Sequence, residues 1–161
     1  KSTNNNIQKA MQEAKEMAKE EMKQEFFNYQ IETKGQKLYE FTNHVNDWIK
    51  KNQFNNGILN LSIQHTSASI VMTENADSDV RHDMELFFRD LVPDADRRYV
   101  HVAEGPDDMS AHVRTILTES SLSLPIGKGK PLLGVWQGVY IWEHRTSAHN
   151  RTIIITINGS N

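Results

Sequence analysis

Leu133-Gly134-Val135-Trp136-Gln137-Gly138-Val139-Tyr140-Ile141-Trp142-Glu143-His144-Arg145 is the stretch whose reading decides the fold. From Val135 to Glu143 the residues alternate. Val135, Gln137, Val139, Ile141 and Glu143 form one row, and Trp136, Gly138, Tyr140, Trp142 and His144 form the other. That period of two, in β-branched and aromatic residues, predicts a long strand that delivers Glu143-His144-Arg145 at its end. Downstream, Ile153 to Ile157 reads as a strand buried on both faces and closed by Asn158-Gly159. Upstream, Leu122 to Ile126 is a strand followed by the turn Gly127-Lys128-Gly129-Lys130, and Phe26 to Thr33, Ile58 to Gln64 and Ile70 to Thr73 are further extended runs.

Helical spacing intervenes three times in this core. Thr42 stands as N-cap before Val45, Trp48 and Ile49, and Asp77 or Ser78 as N-cap before Val80, Met84, Phe87, Phe88 and Leu91, with a stop at Pro93. A third helix starts at Asp107 after Gly105-Pro106, with Met109, His112, Val113, Ile116 and Leu117 as its expected inner face. Strands outnumber helices without strict alternation. The expected class is therefore α+β: a compact single domain with a largely antiparallel mixed sheet and two or three packed helices.

Residues 1–25 differ from residues 26–161. They lack aromatic residues, Gly and Pro, are rich in Lys and Glu, and space Ile7, Ala10, Met11, Ala14, Met17, Ala18 and Met22 by threes and fours. This predicts an N-terminal helical extension, either solvated or docked on its own domain or a neighbouring subunit.

The chain has 161 residues, enough for one domain. With no Cys, a disulfide framework, a thiolate metal site and a cysteine nucleophile are excluded. A net charge of -3 gives no general attraction to nucleic acid. No run is apolar enough for a membrane span, and no signal-peptide core is visible, so the expected compartment is the cytoplasm. Numbering from Lys1 rather than Met leaves targeting open. Phosphate-binding loops, dinucleotide fingerprints, zincin helices and nucleophile elbows are absent from the sequence.

What remains is a set of histidines and carboxylates at the ends of elements. His65 opens His65-Thr66-Ser67-Ala68-Ser69, His112 lies on the third helix and His144 ends the long strand. Each alone reads as a satisfied core or surface residue. Together they form a candidate site for Zn²⁺ or a similar divalent ion with an open position. Glu104-Gly105-Pro106-Asp107-Asp108 concentrates acid at a helix start, where Asp107 suits a cap and Glu104 and Asp108 are candidates for acid/base or metal work. The hydroxyls of Thr66, Ser67 and Ser69 can hold an anion, with Arg145, Arg151, Lys128 and Lys130 as candidate cations. His101 and His149 lie near these segments in less constrained surroundings.

Taken together, His65-Thr66-Ser67-Ala68-Ser69, Glu74-Asn75-Ala76-Asp77, Glu104-Gly105-Pro106-Asp107-Asp108-Met109 with Ala111-His112, Leu133 to Gly138 and Glu143-His144-Arg145 resemble the YjbQ-like family over about residues 26 to 160. The resemblance implies a compact α+β, sheet-rich fold and a homotrimer. It also implies a secondary thiamine-phosphate synthase activity, in which hydroxymethylpyrimidine diphosphate joins a thiazole phosphate and pyrophosphate leaves. A trimer that binds a metal and a phosphorylated metabolite without efficient turnover is the competing expectation. By the resemblance, His65, His112 and His144 are the site histidines; by their chemistry alone they are the expected ligands of Zn²⁺ or Mg²⁺. Glu104, Asp107, Asp108, Glu143 and Arg145 carry acid/base and charge work, and Thr66, Ser67, Ser69, Asn75, Asp77, Gln137 and Arg145 hold substrate. Ser110 stands where the family tends to have proline, and Trp142 where a smaller residue is common.

Overall fold

The computed structural model describes residues 2–19 and 21–161; Lys1, Glu20 and the side chains of Ala18 and Lys19 lie outside what it describes. The N-terminal helix α1 (Ser2–Lys19) leads into β1 (Lys23–Lys34), so the first strand begins three residues before Phe26. Along α1, Ile7, Met11 and Met17 are exposed. There follow β2 (Lys37–Glu40), α2 (Thr42–Lys51), β3 (Asn56–Ile63), β4 (Ala68–Glu74), α3 (Ser78–Leu91) and α4 (Asp108–Leu117). The chain ends with β5 (Ser121–Gly127), β6 (Lys130–Pro131), β7 (Gln137–Glu143) and β8 (Ala148–Ser160). No helix among the described residues is long and apolar enough to cross a membrane.

The strands form two antiparallel sheets, β1-β8-β3-β5-β6 and β2-β7-β4. Alternation explains the core between them. Leu59 and Leu61 of β3, Ile153, Ile155 and Ile157 of β8, and Val139 and Ile141 of β7 are all fully buried, each worth roughly 2 kcal/mol of apolar burial. Val45 and Ile49 of α2 close that core at its side. The opposite row of β7, Tyr140 and Trp142, packs with Leu38, Met84 and Phe88 beneath α3. The strand covered on both faces is thus β7. In β8 the isoleucines at 153, 155 and 157 are buried while Thr152, Ile154 and Thr156 are only half-buried.

Three local expectations change. Thr42 is the first residue of α2 rather than its cap; its hydroxyl donates to Glu40 Oε2 and accepts from the Val139 N–H, tying the helix start to β7. Val135 and Trp136 lie before β7 in an exposed turn, which the Gly134 N–H fastens by donating to Gln137 Oε1. The buried side of α4 is mostly polar, with Asp108, Ser110, Arg114 and Thr115 around Ala111, while Ile116 and Leu117 are exposed. Ser110 Oγ and Arg114 Nη2 both donate to Asp94 Oδ1, and Arg114 Nη2 also donates to the Val92 carbonyl. These partners are what permit polar residues inside.

Candidate metal centre

The end of β7 that carries Glu143, His144 and Arg145 meets the His65–Ser67 loop, the start of β8 and the N-terminus of α4. Asp108 opens α4 and His112 follows one turn later, so both face the same way. His101 arrives from the irregular segment before the helix. Its Nε2 lies 2.7 Å from Asp108 Oδ2, and His112 Nε2 lies 3.0 Å from the same oxygen. Among the described residues, His101, Asp108 and His112 are the group whose ligand atoms lie within 4.8 Å of one another.

Ring chemistry sharpens this. His112 Nδ1 lies 2.8 Å from the Thr66 carbonyl, which only accepts, so Nδ1 carries the hydrogen. Neutral His112 would then turn the lone pair of Nε2 toward the lone pairs of a carboxylate. That arrangement needs a cation between them, either a proton or a metal ion. A backbone carbonyl fixing the far nitrogen is also the usual support of a metal-bound imidazole. Two imidazole nitrogens and one carboxylate oxygen fit a divalent ion, zinc better than magnesium.

Behind the cluster, Arg145 spends its guanidinium on the acidic motif. Nη1 donates to Asp108 Oδ1 at 2.7 Å, Nε to Asp107 Oδ2 at 3.0 Å and Nη2 to the Glu104 carbonyl at 3.0 Å. The buried Asp107 does not cap α4 with its side chain; it also accepts from the Thr146 N–H and hydroxyl. Burial raises the Asp107 pKa, but the Thr146 N–H and Arg145 outweigh it and hold the carboxyl at about 2. Burial likewise opposes ionisation of Asp108, and His101, His112 and Arg145 overcome it, leaving its pKa lowered.

His65 and His144 are held by other partners, although His65 shares a cleft with His112. His65 Nε2 accepts the Thr152 N–H at 2.8 Å, and burial, then Arg151, lowers its pKa. His144 Nε2 and Ser69 Oγ are hydrogen-bonded at 2.9 Å, and both residues are buried, so no substrate reaches this pair as a nucleophile and base. Burial, with Arg114 and Arg151, pushes the His144 pKa down to about 3, so the ring is neutral. The expected convergence of His65, His112 and His144 is therefore not what the chain builds: His112 alone of the three joins the cluster, and its partners are His101 and Asp108.

Glu143 is fully buried, accepting from Thr33 Oγ1 at 2.5 Å, Arg151 Nε at 2.8 Å and Arg151 Nη2. Arg151 Nη2 also donates to Ser67 Oγ at 3.0 Å, which anchors the loop whose Thr66 carbonyl orients His112. Asn75, Asp77 and Gln137 stand at the far end of β4 and β7, roughly 20 Å from Glu143 at the strand rise per residue. Asn75 donates to Glu40 Oε2 and the Gln137 carbonyl, and Asp77 caps α3 by accepting the Asp79 N–H.

Two open clefts flank the cluster. One of about 500 Å³ is lined by His65, Thr66, His112, Thr115, Thr118 and Ser120. The other, about 520 Å³, lies on the His101 side. Sequence reasoning undervalued His101, because an irregular segment gives no periodicity to place it; the available signal was the Asp108–His112 spacing, which called for a further ligand nearby.

Comparison with known proteins places this chain among relatives. The family described as UPF0047 protein YjbQ-like matches residues 27–160. A UPF0047 protein of Synechocystis, sll1880, is 43% identical over 129 residues, which is 80% of this chain and 88% of that protein. The YjbQ protein of Escherichia coli O157:H7 is 48% identical over 105 residues, 65% of this chain and 75% of its own length. A crystal structure of an uncharacterized YjbQ/UPF0047 protein from Clostridium acetobutylicum superposes with a TM-score of 0.75 at 30% identity, covering 81% of this chain and 98% of that one. A YbjQ-like protein of unknown function from Sulfolobus solfataricus shares the fold, with a TM-score of 0.79 at 22% identity over 87% of this chain and all of the other.

Proposed function

This chain belongs to the YjbQ-like UPF0047 family, and we propose that its His101–Asp108–His112 cluster takes up a divalent ion and acts on a phosphorylated metabolite. The reaction we favour is the thiamine-phosphate synthase-like transfer. The thiazole nitrogen forms a C–N bond to the pyrimidine methylene, the methylene C–O bond to diphosphate breaks, and pyrophosphate leaves. The observation that carries the metal reading is His112, whose Nδ1–H is fixed by the Thr66 carbonyl while Nε2 faces Asp108. A bound divalent ion would supply charge neutralisation for the departing diphosphate. Thr66 and Ser120 bring hydroxyls to the adjoining cleft, where those of Thr115 and Thr118 already donate to the Ala111 and Arg114 carbonyls, and Arg145 keeps Asp108 ionised.

One observation favours the alternative of binding without efficient turnover: Arg145 is spent on Asp107, Asp108 and the Glu104 carbonyl, so it does not face a leaving group. The test has two parts. Metal content by mass spectrometry should fall from one ion per chain to none in His112→Ala. Incubation with both thiamine precursors should then give thiamine phosphate in the wild type alone. Metal and precursor binding without product would establish the alternative, and a wild type that takes up no metal would sink both.

A homotrimer and a cytoplasmic setting belong to the same proposal. Ile116 and Leu117 on α4, and Val135 and Trp136 before β7, are exposed apolar residues in two separate places, which suits head-to-tail contacts that close into a ring. Sedimentation should return three times the chain mass of 18.5 kDa.

A further inference from the structure

The outward face of the larger sheet is free of charge. Register sets Phe26 of β1 beside Thr156 of β8, Thr156 beside Asn60 of β3, and Asn60 beside Ser123 of β5. Alternation puts positions 24, 28 and 30 of β1, 152, 154 and 158 of β8, 58 and 62 of β3, and 121 and 125 of β5 on the same side as that row. None of these residues is buried and none is Asp, Glu, Lys, Arg or His, in a chain that is 24% charged. Charge returns only at the margins, with Glu32 on β1 and Lys130 on β6. Phe26 and Ile58 are 64% and 56% exposed, while Asn60 Nδ2 already donates to Ser121 and Ser123. A solvated surface ordinarily mixes both signs of charge, whereas depletion of charge marks the centre of a protein–protein contact.

The N-terminal helix has the complementary need. From Ser2 to Met17 every residue of α1 is exposed. Ile7, Ala10, Met11, Ala14 and Met17 make one stripe, with Lys9, Gln12 and Glu16 on the far side. A helix whose stripe packs on nothing is marginal in water. The dimensions of the two surfaces agree: Ile7 to Met17 spans about 15 Å of helix, and β1 to β5 spans about 14 Å across four strands. Ala10 and Ala14 leave room for a close approach, and the flexible Met11 and Met17 adapt to an uneven surface.

We propose that α1 of one copy lies across the uncharged sheet face of a second copy, with Met11 over Thr156 and the stripe crossing β1, β8, β3 and β5. Because α1 stands exposed beside its own domain, the seat belongs to another chain. A contact between two different surfaces passes from copy to copy and can close into a ring. It uses neither the metal cluster nor the clefts beside it, so it stands or falls apart from the proposed reaction.

The absence of native Cys makes the contact directly readable. The full chain carrying Met11→Cys and Thr156→Cys together, treated with a short bis-maleimide, should run on a denaturing gel as covalent multiples of 18.5 kDa. Each single variant should run as one chain. Ala14→Glu, added to the double variant on the exposed helix where it leaves the domain fold untouched, should reduce the linked bands at least about tenfold, as expected when a charge is forced into an apolar contact. A double variant that stays unlinked overturns the proposal. So does one joined within a single chain, which would put the helix on its own sheet. Linking in Met11→Cys alone would pair helix with helix, linking in Thr156→Cys alone would pair sheet with sheet, and bands that survive Ala14→Glu would be collisional; each of these also overturns it.

Discussion

Arg145 Nη1 donates to Asp108 Oδ1 at 2.7 Å, while the other oxygen of the same carboxylate faces His101 and His112. The guanidinium thus sets both the charge and the rotation of the one acidic group in the cluster.

Removing it should loosen the cluster without removing a ligand. Arg145→Gln should weaken zinc binding by about 10- to 100-fold, the usual cost of losing a residue that orients a metal ligand. Competition against a chromogenic chelator measures this directly. Unchanged affinity would mean that Asp108 is held by α4 alone.

Glu143 was expected among the catalytic residues, yet it is buried under Thr33 and Arg151. Glu143→Gln leaves the Arg151 charge buried with its ionic partner gone, which typically costs about 3 kcal/mol or more. Urea unfolding should show that loss in the midpoint with an unchanged slope. A variant as stable as the wild type, but devoid of activity, would return Glu143 to the chemistry.

These two residues show what the sequence made legible. Alternation located the strands, because Ile153, Ile155 and Ile157 or Val139 and Ile141 must share a face whatever surrounds them. It also brought Glu143 to Arg145 to a strand end beside the acidic motif. Periodicity failed at α4, where Ser110 and Arg114 turn inward because Asp94, far away in sequence, satisfies them. It failed again for Asn75, Asp77 and Gln137: they belong to motifs that neighbour the site in sequence, but the direction of β4 and β7 carries them to the opposite end of the sheet. The partner of His112 was hidden for the same reason, since only the folded loop brings His101 to Asp108.

Acid sensitivity should trace to His144. Its folded pKa of about 3 lies below the ordinary 6.5, so between these values the unfolded chain binds a proton that the folded chain refuses. Stability therefore falls as pH drops through that window and is unaffected by this group above it. His144→Gln, which retains a hydrogen-bonding group for Ser69, should remove up to about 1.4 kcal/mol per pH unit of that slope. Urea midpoints at pH 7, 6, 5 and 4 give the comparison; parallel curves for wild type and variant would show that the ring accepts its proton without opening the fold.

The two candidate ligand sets make opposite forecasts. If His101, Asp108 and His112 are the ligands, His101→Ala should abolish stoichiometric zinc uptake. His65→Gln, which preserves an acceptor for the Thr152 N–H, should leave it intact. Convergence of His65, His112 and His144 demands the reverse: loss of zinc in His65→Gln and retention in His101→Ala. Metal content on protein purified without chelator or affinity nickel reads both variants at once. The geometry favours the first outcome, because the Nε2 atoms of His65 and His144 already have hydrogen-bonding partners, while those of His101 and His112 meet at one carboxylate oxygen.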